Sequence, residues 1–559
     1  MDSEMRPADL KEKMPPGQDP AGPYFDQIRQ LASDAGQLEH LYRGAAAAGE
    51  AEAFRQAIKA SRVAAPGNLL YDAWFHRLEY SAAQVKQAVI AWGWLIPLAL
   101  FNGFLFWLLS DEDRFMLDLV GPTLRQSQQW LPVLMLLAAP ISASTVMIYL
   151  TAAGRRGWRR PVIISTLLIL LGFYVVGVYP QAGTRPLQEQ YLTLMMLHIP
   201  LLAWSGVGAL LLFDERDAHS RFAFIMKSLD VFIVGGFSVG AGGLFLGITF
   251  GLFNALGVEF ATWMQRLLVA GGAGLLPVIG VAVIYRPDRP VANQSFDEGL
   301  SKLVALLMRL LLPLTLLVLT VYLAFIPFNF REPFDNRDVL IIYNGLLFAV
   351  AGLLVGATPV RLADLPAHLH RWLRLALSAV AGLTLLVGLY ALTAIIYRTT
   401  VDQLTPNRLA FIGWNVINLS LLGYLLQGQL RANSTTWLAR IQHAFAAGTI
   451  AYAAWSLLLL LAIPWLFGNN LKEADILKLP VEIQDLIFEQ GDAPILLKCT
   501  QSPNIYLLDG TEKRWVKDID TFNDRGYLWR DVHFVTCSAI SRLTDGPPIP
   551  ADAGTPPDP

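Results

Sequence analysis

The chain has 559 residues, 54% of them hydrophobic and 16% charged, with a formal net charge of −2. Soluble domains carry about 25% charged residues, so the depletion points to lipid. The near-neutral balance excludes a polyanion partner and with it a nucleic-acid role. The expected architecture is an all-α polytopic membrane bundle of about eleven transmembrane helices, with an N-terminal soluble helical region and a small C-terminal β-rich (α+β) extracytoplasmic domain.

Residues 1–22 are polar and Pro-rich and predict a disordered tail without a cleavable signal peptide, which leaves insertion to the first internal span. Residues 23–87, rich in Ala, Leu, Gln and Glu, predict a cytoplasmic helical region of two or three short helices. Leu31, Leu38 and Leu41 fall on one face, with breaks at Gly49 and Pro66-Gly67.

Residues 88–467 form the transmembrane domain. Its apolar runs predict spans at 88–109, 130–152, 162–180, 191–213, 230–252, 263–285, 304–326, 339–357, 374–397, 409–430 and 444–467. With the N-terminus inside, the inner loops hold fifteen Lys or Arg and the outer loops seven, a positive-inside bias. An odd span count then puts the C-terminus outside, in the arrangement of a bacterial plasma-membrane protein.

Residues 472–546 change character. PILLKCT, NIYLLDG, KRWVKD and VHFVTCS are short strand-like runs, and Asp509-Gly510 is a hairpin signal between two of them. IDTFNDRGYLW predicts a short helix and turn ended by Gly526. Residues 547–559 form a Pro-rich segment expected to be disordered. The two cysteines of the chain, Cys499 and Cys537, both follow the last span. An extracytoplasmic domain permits a disulfide between them, the alternative being two buried free thiols.

Polar residues within the spans are the default functional candidates in lipid. His198, just before Pro200, is open to a packing role or to a ligand or proton role. Gly236, Gly240, Gly243, Gly247 and Gly251 in the fifth span make small-xxx-small steps. They predict close helix packing, with a broken-helix substrate site as the alternative. Asp111 and Asp113 lie in the first outer loop. Membrane glycosyltransferases that use lipid-linked sugars carry acidic residues in a comparable loop, so an enzyme or transporter reading stands beside a non-enzymatic one. The chain has no Walker motif, GxSxG, HExxH or CxxC. No catalytic residue, cofactor or metal site is therefore assigned.

The stretch from about 300 to 425, with Tyr397-Arg398 followed by Leu404-Thr405-Pro406-Asn407-Arg408, resembles the bacterial multi-span membrane proteins of domain-of-unknown-function family 4153. Gln403 and Leu409 stand where that family tends to have glycine and tyrosine. The resemblance implies a multi-span membrane fold without fixing an activity. Within this turn Thr405 ahead of Pro406 predicts an N-cap. Arg398 and Arg408 are open to an interface anchor or to a lipid-headgroup or other anion contact. The C-terminal segment YLLDGTEKRWVKDIDTFNDRGYLWRDVHFV is similar to a short module of bacterial envelope proteins, with Phe522, Gly526, Tyr527, Trp529, Asp531 and Val532 at its marked positions. That similarity implies an accessory or binding unit, with envelope components as its partners and its aromatics expected in the core.

Overall fold

The computed structural model describes residues 24–48, 50–86, 90–119, 128–183, 185–296, 299–335, 337–401, 404–467, 476, 478–489, 494–550 and 553–558. Gly49 and the expected 1–22 tail lie outside these residues.

Residues 1–90 and 91–559 are two compact units. The first is built from α1 (Phe25–Gln30), α2 (Ala35–Ala47), α3 (Ala51–Ala64) and α4 (Leu69–Lys86). Four helices stand where two or three were expected, because Asp34 opens an extra one by accepting a hydrogen bond from the Gln37 amide (3.0 Å). Leu38 is fully buried with Ile28, Phe54, Ile58, Tyr71 and Trp74, and Leu31 and Leu41 pack against that core. Gly67, at φ +93°, makes the break before α4. Outside the core, hydrogen bonds from the Arg77 and Arg43 guanidiniums hold the Glu39 carboxyl down at about 2.

The second unit contains eleven helices long and apolar enough to cross a membrane. They are α5 (Trp92–Leu109), α6 (Val133–Ala153), α7 (Arg159–Val178), α8 (Arg185–Leu211), α9 (Ala218–Ala255), α10 (Thr262–Ile284), α11 (Gly299–Phe325), α12 (Arg337–Ala357), α13 (Ala367–Val401), α14 (Pro406–Leu430) and α15 (Trp437–Phe467). The chain is a multi-pass membrane protein. Several helices run past their apolar runs; α9 starts at Ala218 rather than 230 because Asp217 accepts from the Ser220 amide and caps it early. Thr405 caps α14 through the Arg408 amide, with Pro406 at the first helical position. Arg309 donates from Nε to the Ala357 carbonyl, which satisfies an acceptor at the end of α12.

The glycine expectation is corrected. A methyl group on Gly236, Gly240, Gly243, Gly247 or Gly251 would meet nothing within 4 Å. The buried residues of α9 are confined to its first third, Ser220 to Asp230. Its root is fixed by a buried ion pair, in which Lys227 Nζ lies 3.2 Å from Asp230 and 2.9 Å from the Ser301 hydroxyl of α11. Close glycine packing occurs instead between α5 and α10. A methyl on Gly103 would lie 2.8 Å from the Gly271 carbonyl oxygen, and one on Gly274 would lie 2.8 Å from the Gly103 Cα. Asn102 locks the same crossing. Its Nδ2 donates to the Gly274 carbonyl (2.6 Å), and its Oδ1 accepts from Thr145 of α6 (3.1 Å). A π-turn at Leu267–Gly271 interrupts α10 beside this contact.

The C-terminal region holds α16 (Val481–Glu489), β3 (Leu496–Lys498), β4 (Ile505–Asp509), β5 (Glu512–Val516), α17 (Ile519–Asp524), β6 (Val532–Phe534), α18 (Cys537–Ser541) and β7 (Thr544–Asp545), following a short β1–β2 hairpin (Met116–Leu119, Gln128–Pro132) earlier in the chain. Its five strands are ordered β6-β3-β4-β5-β7, with the β4–β5 hairpin turning at Gly510 (φ +66°). Alternation along the strands sends Leu497 and Tyr506 to one face and Leu496 and Ile505 to the other. Ile483, Ile487 and Ile540 cover the first face; Phe522 and Ile549 cover the second. Within the segment expected to be disordered, residues 547–550 instead run along the sheet. Ile549 is buried, its amide donates to the Trp515 carbonyl (2.8 Å), and its carbonyl accepts from Lys517 (3.0 Å). A two-faced sheet in so short a domain needs an apolar cover on each side, and Ile549 completes the second.

Candidate functional site

The antiparallel course of the spans gives the bundle two ends. One carries the C-terminal domain, because α16 packs on α8. The opposite end carries the loops after α6, α8, α10, α12 and α14, and most of the arginines between residues 92 and 467 lie in or beside them.

The acidic loop lies at the C-domain end. Asp111 is 3.1 Å from Arg266 Nη1, and the same guanidinium donates to Ser110 Oγ (3.2 Å) and the Trp107 carbonyl (3.0 Å), closing the end of α5. Asp113 is exposed, its amide bonded to Asp111 Oδ1 (3.2 Å). Arg398 and Arg408 are half-buried near the facing ends of α13 and α14. Among the described residues no group of three or more His, Cys, Asp or Glu is placed to hold a metal ion.

His198 belongs to a cluster that only the tertiary structure assembles. The neutral imidazole has one N–H, and a carbonyl can only accept. Nδ1 lies 2.7 Å from the Leu194 carbonyl, so Nδ1 carries the proton and Nε2 presents a lone pair. The ring stacks on Trp414 of α14 at 5.1 Å between centroids. One residue on, Asn415 donates to Asn344 Oδ1 of α12 (2.7 Å) and to the Phe411 carbonyl (2.8 Å). One turn further, Asn418 Oδ1 accepts from the Tyr452 hydroxyl of α15. A methyl on Gly413 would overlap the Trp455 ring, so glycine there lets an indole lie flush on the α14 backbone.

In this cluster His198 Nε2, Trp414 Nε1, Asn415 Oδ1, Asn418 Nδ2, Trp455 Nε1 and Ser456 Oγ are buried without a hydrogen-bond partner among the described residues. Two are acceptors, three are donors and the hydroxyl is both. Each such group in an apolar interior costs on the order of 1–3 kcal/mol when unmet. The cluster contains no carboxylate. Asn344, Asn415 and Asn418 stand out in the sequence as bridging amides, whereas Trp414, Trp455 and Ser456 carry no polar signal separable from their span.

In the C-terminal domain Cys499 and Cys537 pair as a disulfide with Cα atoms 5.1 Å apart. Cys499 follows β3, and Cys537 opens α18 just after β6, the parallel neighbour of β3. The aromatics divide. Phe522 is buried and Tyr527 packs on it, whereas Trp529 is 57% and Phe534 64% exposed. Ile519 and Leu528 are exposed as well, and Phe534 lies on β6, an edge strand of the sheet. The expectation of a wholly internal role for these aromatics is corrected for Trp529, whose ring rests one face on Phe522 at 5.0 Å.

Comparison with models of protein families, with curated proteins and with solved structures finds no match to this chain.

Proposed function

We propose that this protein anchors or senses envelope components at a bacterial plasma membrane, with its N-terminus cytoplasmic and its C-terminal domain outside as the working module. The observation that carries this reading is the exposure of Trp529 and of Phe534 on the edge strand β6, in a disulfide-closed domain. Large exposed apolar side chains outside the spans, one of them on an edge strand, support an interaction surface. The arginine bias of the opposite loops supports the orientation. A photo-crosslinking residue at Phe534 or Trp529, in the full-length protein in its native membrane, should give a discrete adduct with an envelope component. The same residue at exposed Arg542 should give none. Adducts with lipid alone, or an identical pattern from Arg542, would overturn the proposal.

The unpaired polar atoms around His198 favour a second reading, in which the membrane domain holds a small neutral solute or internal water between α8, α12, α14 and α15. Radiolytic footprinting labels side chains that touch bound water. Trp414 should be oxidised at doses that leave the fully buried Met147 intact. Equal protection of both would remove this reading.

A further inference from the structure

At the arginine-rich end, α8, α9 and α15 part to leave an apolar groove of about 360 Å³. Its walls include Trp204, Gly208, Leu212, Phe224, Ile450 and Ala453. Gly208 sets the depth, since a methyl there would lie 2.9 Å from the Phe224 ring. The volume falls in the range of small-ligand sites, about 300–1,000 Å³. Two cations, Arg216 and Arg221, stand among the lining residues.

The charges around them leave both arginines available. Asp214 is taken by Arg160 (2.8 Å), whose guanidinium also lies over the Phe213 ring (3.7 Å). Asp217 accepts from the Ser220 amide and hydroxyl, and Glu215 lies 3.5 Å from that hydroxyl. Arg216 spends Nε on the Phe213 carbonyl (3.1 Å) and forms no ion pair among the described residues. Arg221 is half-buried, with neither a side-chain hydrogen bond nor an ion pair among the described residues. Asp214 is near enough that Arg216, after Arg160, helps hold its carboxyl below the ordinary range, but among the described residues neither cation has an ion pair, and the groove below them is lined mostly by hydrocarbon.

We propose that this groove binds one anionic phospholipid, with an acyl chain along Gly208 and Ala453 and the phosphate on Arg216 and Arg221. The occupant follows from the complementarity of the site. Apolar walls between membrane spans match a hydrocarbon chain, and paired guanidiniums at their end match a phosphate, which accepts in the fork geometry that arginine offers. Basic pockets between spans at a cytoplasmic surface bind lipid headgroups by the same chemistry. The site is separate from Trp529 and Phe534 and does not depend on their partner.

The test uses the full-length protein in micelles, titrated with phosphatidylglycerol or with phosphatidylcholine of the same chains and read by native mass spectrometry. One phosphatidylglycerol should be retained in preference to phosphatidylcholine. Arg216→Gln with Arg221→Gln should cut that preference about 30-fold, from about 1 kcal/mol per basic residue. Arg371→Gln with Arg431→Gln, exposed at the same end, should leave it unchanged. Ala453→Phe, which fills the groove, should lower retention of both lipids while the arginines remain. Equal retention of the two lipids by the unmodified protein would overturn the proposal, as would an equal loss from the Arg371/Arg431 pair. Displacement of the lipid by glycerol 3-phosphate alone would overturn it too, because the acyl chain would then contribute nothing.

Discussion

Replacing Cys499 and Cys537 by alanine should destabilise the C-terminal domain by about 4 kcal/mol. The bridge spans a sequence separation of 38 residues, and closing a loop of that size restricts the unfolded chain by about that amount on a chain-entropy account. The loss is large for a domain whose core is two thin layers on one sheet. It should be seen as faster amide exchange in β3, β4 and β5, with exchange in the membrane helices unchanged. The position of the bridge explains why the effect is local. It joins the residue after β3 to the first residue of α18, three past the end of β6, so it fastens the parallel pair at the free edge. Peptide mapping of unreduced protein from native membranes should recover the linked cysteines. Two alkylatable thiols in that sample would overturn the extracytoplasmic placement, and unchanged exchange in the variant would show that the sheet holds without the bridge.

The second large effect concerns glycine. Gly103→Leu and Gly274→Leu should each destabilise the membrane domain by about 3 kcal/mol or more, because each side chain would enter a space already held by backbone. Gly243→Leu and Gly247→Leu should leave the melting temperature in detergent within error of the parent, since nothing lies within 4 Å of either position. Equal losses in the two pairs would mean that α9 packs against a partner along its glycine face.

This contrast also shows what was legible in the sequence. Span length and hydropathy carry the membrane architecture, because crossing hydrocarbon imposes a fixed apolar length on a helix. Small-xxx-small spacing identifies helices that can approach closely but not which neighbour they approach. Gly243 and Gly247 keep that spacing while meeting nothing within 4 Å, and Gly103, which has no glycine partner at that spacing in its span, makes the tight crossing. His198 is visible as a histidine in an apolar run. Its stacking on Trp414 depends on α8 meeting α14, more than 200 residues later, and local pattern does not encode such a meeting. The C-terminal proline run illustrates a different failure. Composition judges a segment by its own content, whereas Ile549 is ordered by the uncovered sheet face it meets.

The length of α9 has a mechanical consequence. Its 38 residues span about 57 Å at 1.5 Å per residue, nearly twice the roughly 30 Å of bilayer hydrocarbon. The packed root, Ala218 to Asp230, accounts for about 20 Å of this, and the remaining stretch is by itself long enough to cross the hydrocarbon. The helix is thus clamped near its start at the Lys227–Asp230–Ser301 contact, while beyond Asp230 its glycines meet open space and Phe250 and Phe253 rest on Phe260 ahead of α10. A force the bilayer exerts on this stretch, through thickness or tilt, is carried by that clamp at one end and by the short connection to α10 at the other.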